Sequence, residues 1–459
     1  MTVLLKKPVA SATPIRVVDR ASLVRQLEAE PPATRRWLAA AGFEGAPDSH
    51  LLLPDAEGAL QAVWAGVRDI TDPWALSALP RRLPAGRYRL DDAGLALDPE
   101  SAAMSWALGG YAFERYKKAK RQPAELMLAP GDAARRGLLL AAAVAATRDL
   151  VNTPAEDLGP AELAAAVKAA AKAHGAKFSQ VVGDQLLKKG FPSIHAVGRA
   201  ATRAPLLAEL NWGQPKDPLL VIVGKGVCFD SGGLDIKGAD GMRNMKKDMG
   251  GAATALALAT LVMSAKLPVR LQLLIPAVEN AIAGNAFRPG DVFRTRKGLA
   301  IEIGNTDAEG RVILCDALAY GAEGQPDLMI DLATLTGAAR VALGPQLPAL
   351  FCHRMDLARE IVDLGLALRD PLWHMPLWRD YHAGIESDIA DIVNTGRNGM
   401  AGAVTAALFL DDFVPAGVDW LHIDLFAWNP GDKPGRPAGG EAQTLRTLLA
   451  YLERRYSRR

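Results

Sequence analysis

Cysteine is nearly missing from this chain. Three thiols (Cys228, Cys315, Cys352) in 459 residues are too few, and odd in number, for a disulfide framework. No C-x-x-C pair occurs, which argues against a small structural zinc site. Free thiols suit a reducing compartment, so a cytoplasmic location is expected. Long apolar runs are also lacking. Only Val3-Leu4-Leu5 precedes the basic Lys6-Lys7, which is short of a secretory signal. The longest weakly polar stretch, 249–265, is broken by Gly250, Gly251, Thr254, Thr260 and Ser264, and falls below the roughly 20 residues a bilayer requires. No excess charge of one sign exists: 53 Lys plus Arg against 51 Asp plus Glu leave a net charge of +2. That balance offers no electrostatic footprint for nucleic acid or an anionic membrane. Two motifs are absent as well. There is no H-E-x-x-H, the seven histidines being scattered, and no G-x-x-x-x-G-K-[ST] phosphate loop.

What is present is a globular composition, 49% hydrophobic and 23% charged, on a chain long enough for two domains. Short apolar segments alternating with Pro/Gly breaks over residues 1–125 suggest a small mixed α/β domain, with a helix over 105–118. Pro123, Pro130 and Gly131 mark a boundary, and an Ala/Leu-rich helix over 133–151 makes 126–152 a linker region. The remainder, 153–459, alternates strands (219–223, 271–275, 300–303, 328–330) with helices (160–173, 251–264, 311–320, 403–413). This pattern predicts a larger α/β/α domain with a mixed, largely parallel central sheet, whose ligands bind at the carboxyl ends of the strands.

Three clusters carry chemistry. Gly224-Lys225-Gly226-Val227-Cys228-Phe229-Asp230-Ser231-Gly232-Gly233-Leu234-Asp235-Ile236-Lys237 follows the strand at 219–223. Its four central glycines permit sharp turns and close approach, and packing poorly explains its two lysines and Asp230. Met245-Lys246-Lys247-Asp248-Met249-Gly250-Gly251 places Asp248 just ahead of a buried helix, where on its own it reads as an N-cap. Asn305-Thr306-Asp307-Ala308-Glu309-Gly310-Arg311 spaces two acids and a base by two, which in an extended segment puts them on one face. Two carboxylates on one face repel unless a cation lies between them. Asp230, Asp248, Asp307 and Glu309 together match a hard, oxygen-ligated pair of divalent ions.

These three clusters, with Asp331-Leu332-Ala333-Thr334-Leu335-Thr336-Gly337-Ala338, resemble the leucyl aminopeptidase family, also called cytosol aminopeptidase, in consistent order over about residues 148–425. The first 125 residues resemble it far more weakly. The resemblance implies a metal-dependent aminopeptidase that hydrolyses N-terminal, mainly apolar residues from short peptides through a water bridging two divalent metals, zinc or manganese. By motif position, Lys225, Asp230, Asp248 and Glu309 would hold one ion, and Asp230, Asp307 and Glu309 the other. Lys237 and Arg311 would be the catalytic residues that ligate no metal, with bicarbonate bound at Arg311 shuttling a proton. Met245, Thr334, Leu335 and Gly337 would line the pocket for the N-terminal side chain. For Met245, simple core packing is an equally good reading. The family also implies a homohexamer. To ligate a metal, Lys225 must be neutral, so its pKa must be depressed by burial and nearby cations.

Some positions depart from the family pattern. Cys228 replaces a common threonine and reads as a buried thiol, with zinc ligation the alternative. Asp235 is open between a solvated loop charge and a partner for Lys237. His422 reads as a hydrogen-bonded core histidine rather than a ligand. The tail Ala427-Trp428-Asn429-Pro430-Gly431-Asp432-Lys433-Pro434-Gly435-Arg436-Pro437 resembles a shorter bacterial branch related to peptidase B. Two rival classes stand against the peptidase. A DNA-binding scaffold conflicts with the charge balance, and a metal-dependent phosphoesterase conflicts with the lack of histidine ligands and with Lys225.

Overall fold

The computed structural model describes residues 2–457. They form two compact units. One runs to Ala145 and takes in Gly431–Ala438; the other comprises Ala146–Pro430 and the chain from Gly439 onward. The division falls within the helix Asp132–Asn152.

The first unit holds a six-stranded sheet in the order Val3–Leu5, Glu125–Leu128, Arg87–Leu90, Thr13–Val18, Leu60–Gly66, His50–Pro54. All neighbours are parallel except the last pair. Ile15, Val63, Tyr88 and Trp106 lie in its core. The helix expected over 105–118 is instead Pro99–Gly110. Pro99 sits at its first turn, where the missing N–H costs nothing, and Asp98 Oδ2 accepts from Ser101 N at 2.9 Å. It ends at Gly109-Gly110, where a Cβ on Gly109 would meet Ser77 O at 2.2 Å.

The second unit is built on a nine-stranded sheet. Along its main path the order is Trp373–His374, Ala349–Cys352, Asp419–Asp424, Leu328–Ala333, Leu219–Gly224, Arg270–Asn280, Leu206–Trp212, Lys177–Val182. A ninth strand, Gly226–Asp230, pairs parallel with the far end of Arg270–Asn280. The four central strands run parallel. Antiparallel pairs flank them on both sides. The expected mixed, largely parallel sheet between helices is what forms. Every residue of Leu219–Gly224 is buried, as a strand covered on both faces requires. Val221 and Val223 face a core shared with Ile313, Leu314 and Phe409. The helix Gly250–Ser264 packs against the same strand from the side of Leu220 and Ile222.

That helix approaches very closely. A Cβ on Gly251 would lie 2.2 Å from Leu332 O, and one on Gly224 would lie 2.6 Å from Ala252 Cα. The glycines of the second cluster are therefore packing requirements that bring Asp248 to the sheet edge. The strand expected at 300–303 is Ala300–Glu302, and it belongs to a separate three-stranded sheet with Val292–Arg294 and Ile392–Val393. Asn280, Lys225, Thr334 and Asp424 come together at the carboxyl ends of adjacent parallel strands. Register makes this so: Leu332 pairs with Gly224, and Ala333 with Asp424. Among the described residues, no helix is long and apolar enough to cross a membrane.

Candidate metal centre

Lys225 leaves its strand with its N–H donated to Leu332 O at 3.0 Å. Its buried side chain places Nζ 2.8 Å from Asp248 Oδ2 and 2.9 Å from Glu309 Oε1, and donates to Thr334 O at 2.8 Å. Burial alone pulls the ammonium down. Asp248, Glu309 and Asp230 outweigh that, so the protein's own charges hold Lys225 above the ordinary lysine range. The depression needed for a neutral amine ligand must therefore come from divalent ions, not from burial. Gly310 provides the space: a Cβ there would lie 2.5 Å from Lys225 Cε and 2.7 Å from Nζ. Alanine favours a helix over glycine by about 1 kcal/mol. Even so, Gly310→Ala is expected to weaken metal binding by about 10–100-fold, the cost typical of disturbing a ligand's support. Calorimetric titration with Mn²⁺ checks this, and unchanged affinity would contradict the role given to Gly310.

Asp230 ends its own short strand. Its Oδ1 accepts from Gly232 N and Asn280 Nδ2, both at 2.9 Å. Its Oδ2 is 2.8 Å from Lys237 Nζ, and Lys237 also contacts Asp307. Gly232 turns with φ +89°, a conformation side chains rarely adopt, and this folds Lys237 back over Asp230. Burial lowers Lys237, but Asp230, Asp307 and Glu309 together more than offset it and hold the ammonium above its usual range.

The third cluster does not lie extended. Ala308 caps the helix Glu309–Ala322, so Glu309 and Arg311 occupy its first turn while Asp307 precedes it. The backbone here is a turn and a helix start instead of the expected extended segment, yet Asp307 and Glu309 do converge. Turn hydrogen bonds, not a pleat, aim them. Asp307 N donates to Asn305 Oδ1 at 2.7 Å, and Asn394 Oδ1 accepts from Gly304 N and Asn305 N at 2.8 and 3.1 Å. Asp235 is an exposed loop charge and not a partner of Lys237, which pairs with Asp230 and Asp307. Its Oδ2 accepts from Thr306 N at 2.7 Å, and its own N–H donates to Thr306 Oγ1 at 2.8 Å, clasping the first loop to the third. Cys228 is a buried thiol whose Sγ lies 3.7 Å from Gly226 O, and burial pushes it well above the usual thiol range. His422 is fully buried, with Nδ1 2.6 Å from Asp331 Oδ1, and stacks on Phe351 and Trp420. Arg311 is buried too. Its Nε has no hydrogen-bond partner, and burial pulls it down to about 10.

This donor set fits divalent cations. Asp230, Asp307 and Glu309 each bring a carboxylate oxygen within 4.8 Å of the others. Asp248 Oδ2, Asp307 Oδ1 and Glu309 Oε1 are buried, with a lysine ammonium against each and no other hydrogen-bond donor among the described residues. Burial pushes Glu309 far above the normal carboxylate range, and Asp230 adds to the push. Burial likewise raises Asp230, with Asp248 adding to it. Acids this crowded ionise fully only with strong positive charge among them. Thr334 Oγ1 lies 2.9 Å from Asp248 Oδ1 and orients it.

A cavity of about 680 Å³ opens onto this cluster. Lys225, Asp230, Lys237, Asp248 and Asp307 line one part, and Met245, Thr334, Leu335 and Gly337 line another. Glu309 and Arg311 lie behind its surface. Sequence reasoning missed several residues here. Asp424 fastens the 334–336 turn by accepting from Leu335 N, Thr336 N and Thr336 Oγ1. Asn280 ends the long strand Arg270–Asn280, and the polar pair Glu279-Asn280 after its apolar stretch was a readable signal. Phe426, Arg340 and the buried Lys247 also line the cavity, and burial lowers Lys247 to about 8.

Comparison with known proteins gives the same picture. Residues 145–449 match the model of the cytosol aminopeptidase family catalytic domain, and residues 13–129 match the M17 aminopeptidase N-terminal domain. A probable cytosol aminopeptidase of Syntrophotalea carbinolica is 38% identical, covering 80% of this chain and 79% of that protein. The crystal structure of a cytosol aminopeptidase from Coxiella burnetii superposes with a TM-score of 0.95 at 48% identity, covering 99% of both chains. The bottromycin maturation enzyme BotP in complex with Mn superposes at 0.87 with 32% identity, over 98% of this chain and 100% of that one. Fold, site and likeness together define a metal-dependent peptidase. The α/β sheet with its acid-and-lysine centre is the shared frame. The chain belongs to the cytosol aminopeptidase family, which leaves the phosphoesterase reading without support.

Proposed function

We propose that this enzyme removes N-terminal, mainly apolar residues from short peptides, using two divalent ions per subunit, manganese or zinc. The observation that carries this reading is the set of buried carboxylate oxygens with no donor but lysine ammoniums, grouped around Lys225 and Lys237 on a cavity that Met245, Leu335 and Phe426 also line. Lys225, Asp230, Asp248 and Glu309 would hold one ion, and Asp230, Asp307 and Glu309 the other. Ions held there would supply Lewis acidity and, between them, an activated water at neutral pH. Met245, Thr334, Leu335 and Gly337 receive the N-terminal side chain, where a flexible thioether adapts to several shapes. Lys237, which lines the cavity, presents its ammonium to the scissile carbonyl and stabilises the developing oxyanion. Arg311 offers a buried, unpartnered Nε as the donor for bicarbonate. Residues 153–459 carry the catalytic machinery, 1–125 form an N-terminal domain, and 126–152 link the two. Assembly as a cytoplasmic homohexamer would restrict access to small peptides.

Turnover of leucine p-nitroanilide and Leu-Gly is expected with Mn²⁺ supplied and not after chelation. N-acetylated leucine p-nitroanilide should resist cleavage, because the free amine is required. Folded protein with metal that turns over neither unblocked substrate would refute the reading.

A further inference from the structure

Two of the proposed metal ligands lean on one residue. Thr334 O accepts from Lys225 Nζ at 2.8 Å, and Thr334 Oγ1 lies 2.9 Å from both Asp248 Oδ1 and Asp248 O. A neutral amine that ligates a metal keeps two N–H bonds. An acceptor for one of them fixes the direction of the lone pair, and the Thr334 carbonyl is such an acceptor. Thr334 directly follows the strand Leu328–Ala333, so its own position depends on how the outgoing turn is held.

A buried acid outside the three clusters holds that turn. Asp424 ends the neighbouring parallel strand and pairs with Ala333. Its Oδ1 accepts from Leu335 N at 3.0 Å and Thr336 N at 3.2 Å, and its Oδ2 accepts from Thr336 Oγ1 at 2.5 Å. Thr336 Oγ1 in turn accepts from Ala339 N at 3.0 Å, at the start of the helix Gly337–Leu343. Both residues after Thr334 are therefore clamped by one side chain. The other ligands are supported elsewhere. Asp230 accepts from Gly232 N and Asn280 Nδ2, and Asn305 sets Asp307. None of these contacts touches 334–336.

We propose that Asp424 is a positioning residue for one metal position only, the one held by Lys225 and Asp248, and that it acts through the Thr334–Thr336 turn. This rests on the proposed two-ion reading, which assigns those ligands. Hydrogen bonds, not charge, do the positioning. Asparagine at 424 keeps all three: its carbonyl oxygen accepts from both N–H groups, and its amide donates to Thr336 Oγ1, which has a second lone pair. Alanine keeps none. Asp424 also offsets part of the pull that burial exerts on Arg311, so metal binding, not turnover, is the readout.

The test is calorimetric Mn²⁺ titration of the full chain, with paramagnetic resonance of the bound Mn²⁺ as a second measurement. Wild type is expected to take up two ions per chain and to show exchange coupling between them. In Asp424→Ala one binding step should weaken by about 10–100-fold, the usual cost of losing a ligand's support, while the other stays unchanged. At metal sufficient only for the tighter step, the uncoupled signal of a lone Mn²⁺ should dominate. Asp248→Asn should weaken the same step, and adding Asp424→Ala to it should change little more, as expected of residues acting through one network. Asp424→Asn should titrate like wild type. Asp424→Ala that weakens both steps alike, or neither, overturns the proposal. Asp424→Asn as impaired as Asp424→Ala makes charge the active feature and overturns it too. Should Asp424→Ala fail to fold, Thr336→Val removes one of the three bonds and is expected to weaken the same step by less; an unchanged titration there overturns the proposal. A wild type that binds a single ion refutes the two-ion reading and the proposal with it, a separate outcome from two ions that Asp424→Ala does not tell apart.

Discussion

Glu309→Gln is expected to lower kcat/KM for leucine p-nitroanilide by at least about 10³-fold with excess Mn²⁺, while the protein stays folded. Loss of Lewis-acid stabilisation is worth several kcal/mol, and each 1.36 kcal/mol is tenfold in rate. Glutamine preserves the shape, so no cavity opens behind the first turn of Glu309–Ala322. Only the charge is removed. Glu309 Oε1 lies 2.9 Å from Lys225 Nζ, in a position only 1% exposed. Its carboxylate is proposed to reach both ions, and no other described acid is placed to replace it. Two measurements separate the outcomes: metal per chain by elemental analysis, and near-UV circular dichroism for the fold. Native dichroism with reduced metal and lost activity is the expected result. Full activity at saturating metal would remove Glu309 from the centre.

The chemistry-bearing residues were largely legible because their clusters are local. Lys225 to Lys237, Met245 to Gly251 and Asn305 to Arg311 each span fewer than fifteen residues, and charges among glycines have few packing explanations. The geometry joining them was less legible. Period-two spacing singled out Asp307 and Glu309, whose carboxylates do converge, while assigning them the wrong backbone, since an Asn305 turn and a helix start also bring i and i+2 together. The clasp of Asp235 on Thr306 spans 71 residues, and no local pattern encodes it. Asp424 and Phe426 enter the site through register: the strand Asp419–Asp424 lies beside Leu328–Ala333. Pairing between strands some ninety residues apart depends on the whole sheet. The helix expected over 105–118 failed for a local reason. Asp98-Pro99 was a readable start signal, and Gly109-Gly110 a readable stop.

Lys237→Met is expected to lower kcat by about 10²–10³-fold, the cost of removing one oxyanion donor, with KM changed far less and the metal retained. Methionine keeps most of the stem's volume while deleting the ammonium. Its contacts are Asp230 and Asp307, both proposed metal ligands. Removing the cation leaves those carboxylates more negative, so divalent ions should bind as tightly or more tightly. This is opposite in direction to Glu309→Gln, where activity and metal fall together. Measuring kcat, KM and metal stoichiometry on both variants therefore distinguishes a catalytic electrophile from a ligand. A structural role for Lys237 predicts something else. If its ion pairs merely fasten the Gly232 turn, thermal stability should drop and metal binding weaken, with kcat per metal-loaded subunit preserved. Burial competes with the acids here, and Asp230, Asp307 and Glu309 together win, holding Lys237 charged. The ammonium is thus available as a cation at neutral pH before any substrate arrives, which is what preorganised stabilisation of a developing oxyanion requires. Unchanged kcat per bound metal in Lys237→Met would refute the assignment.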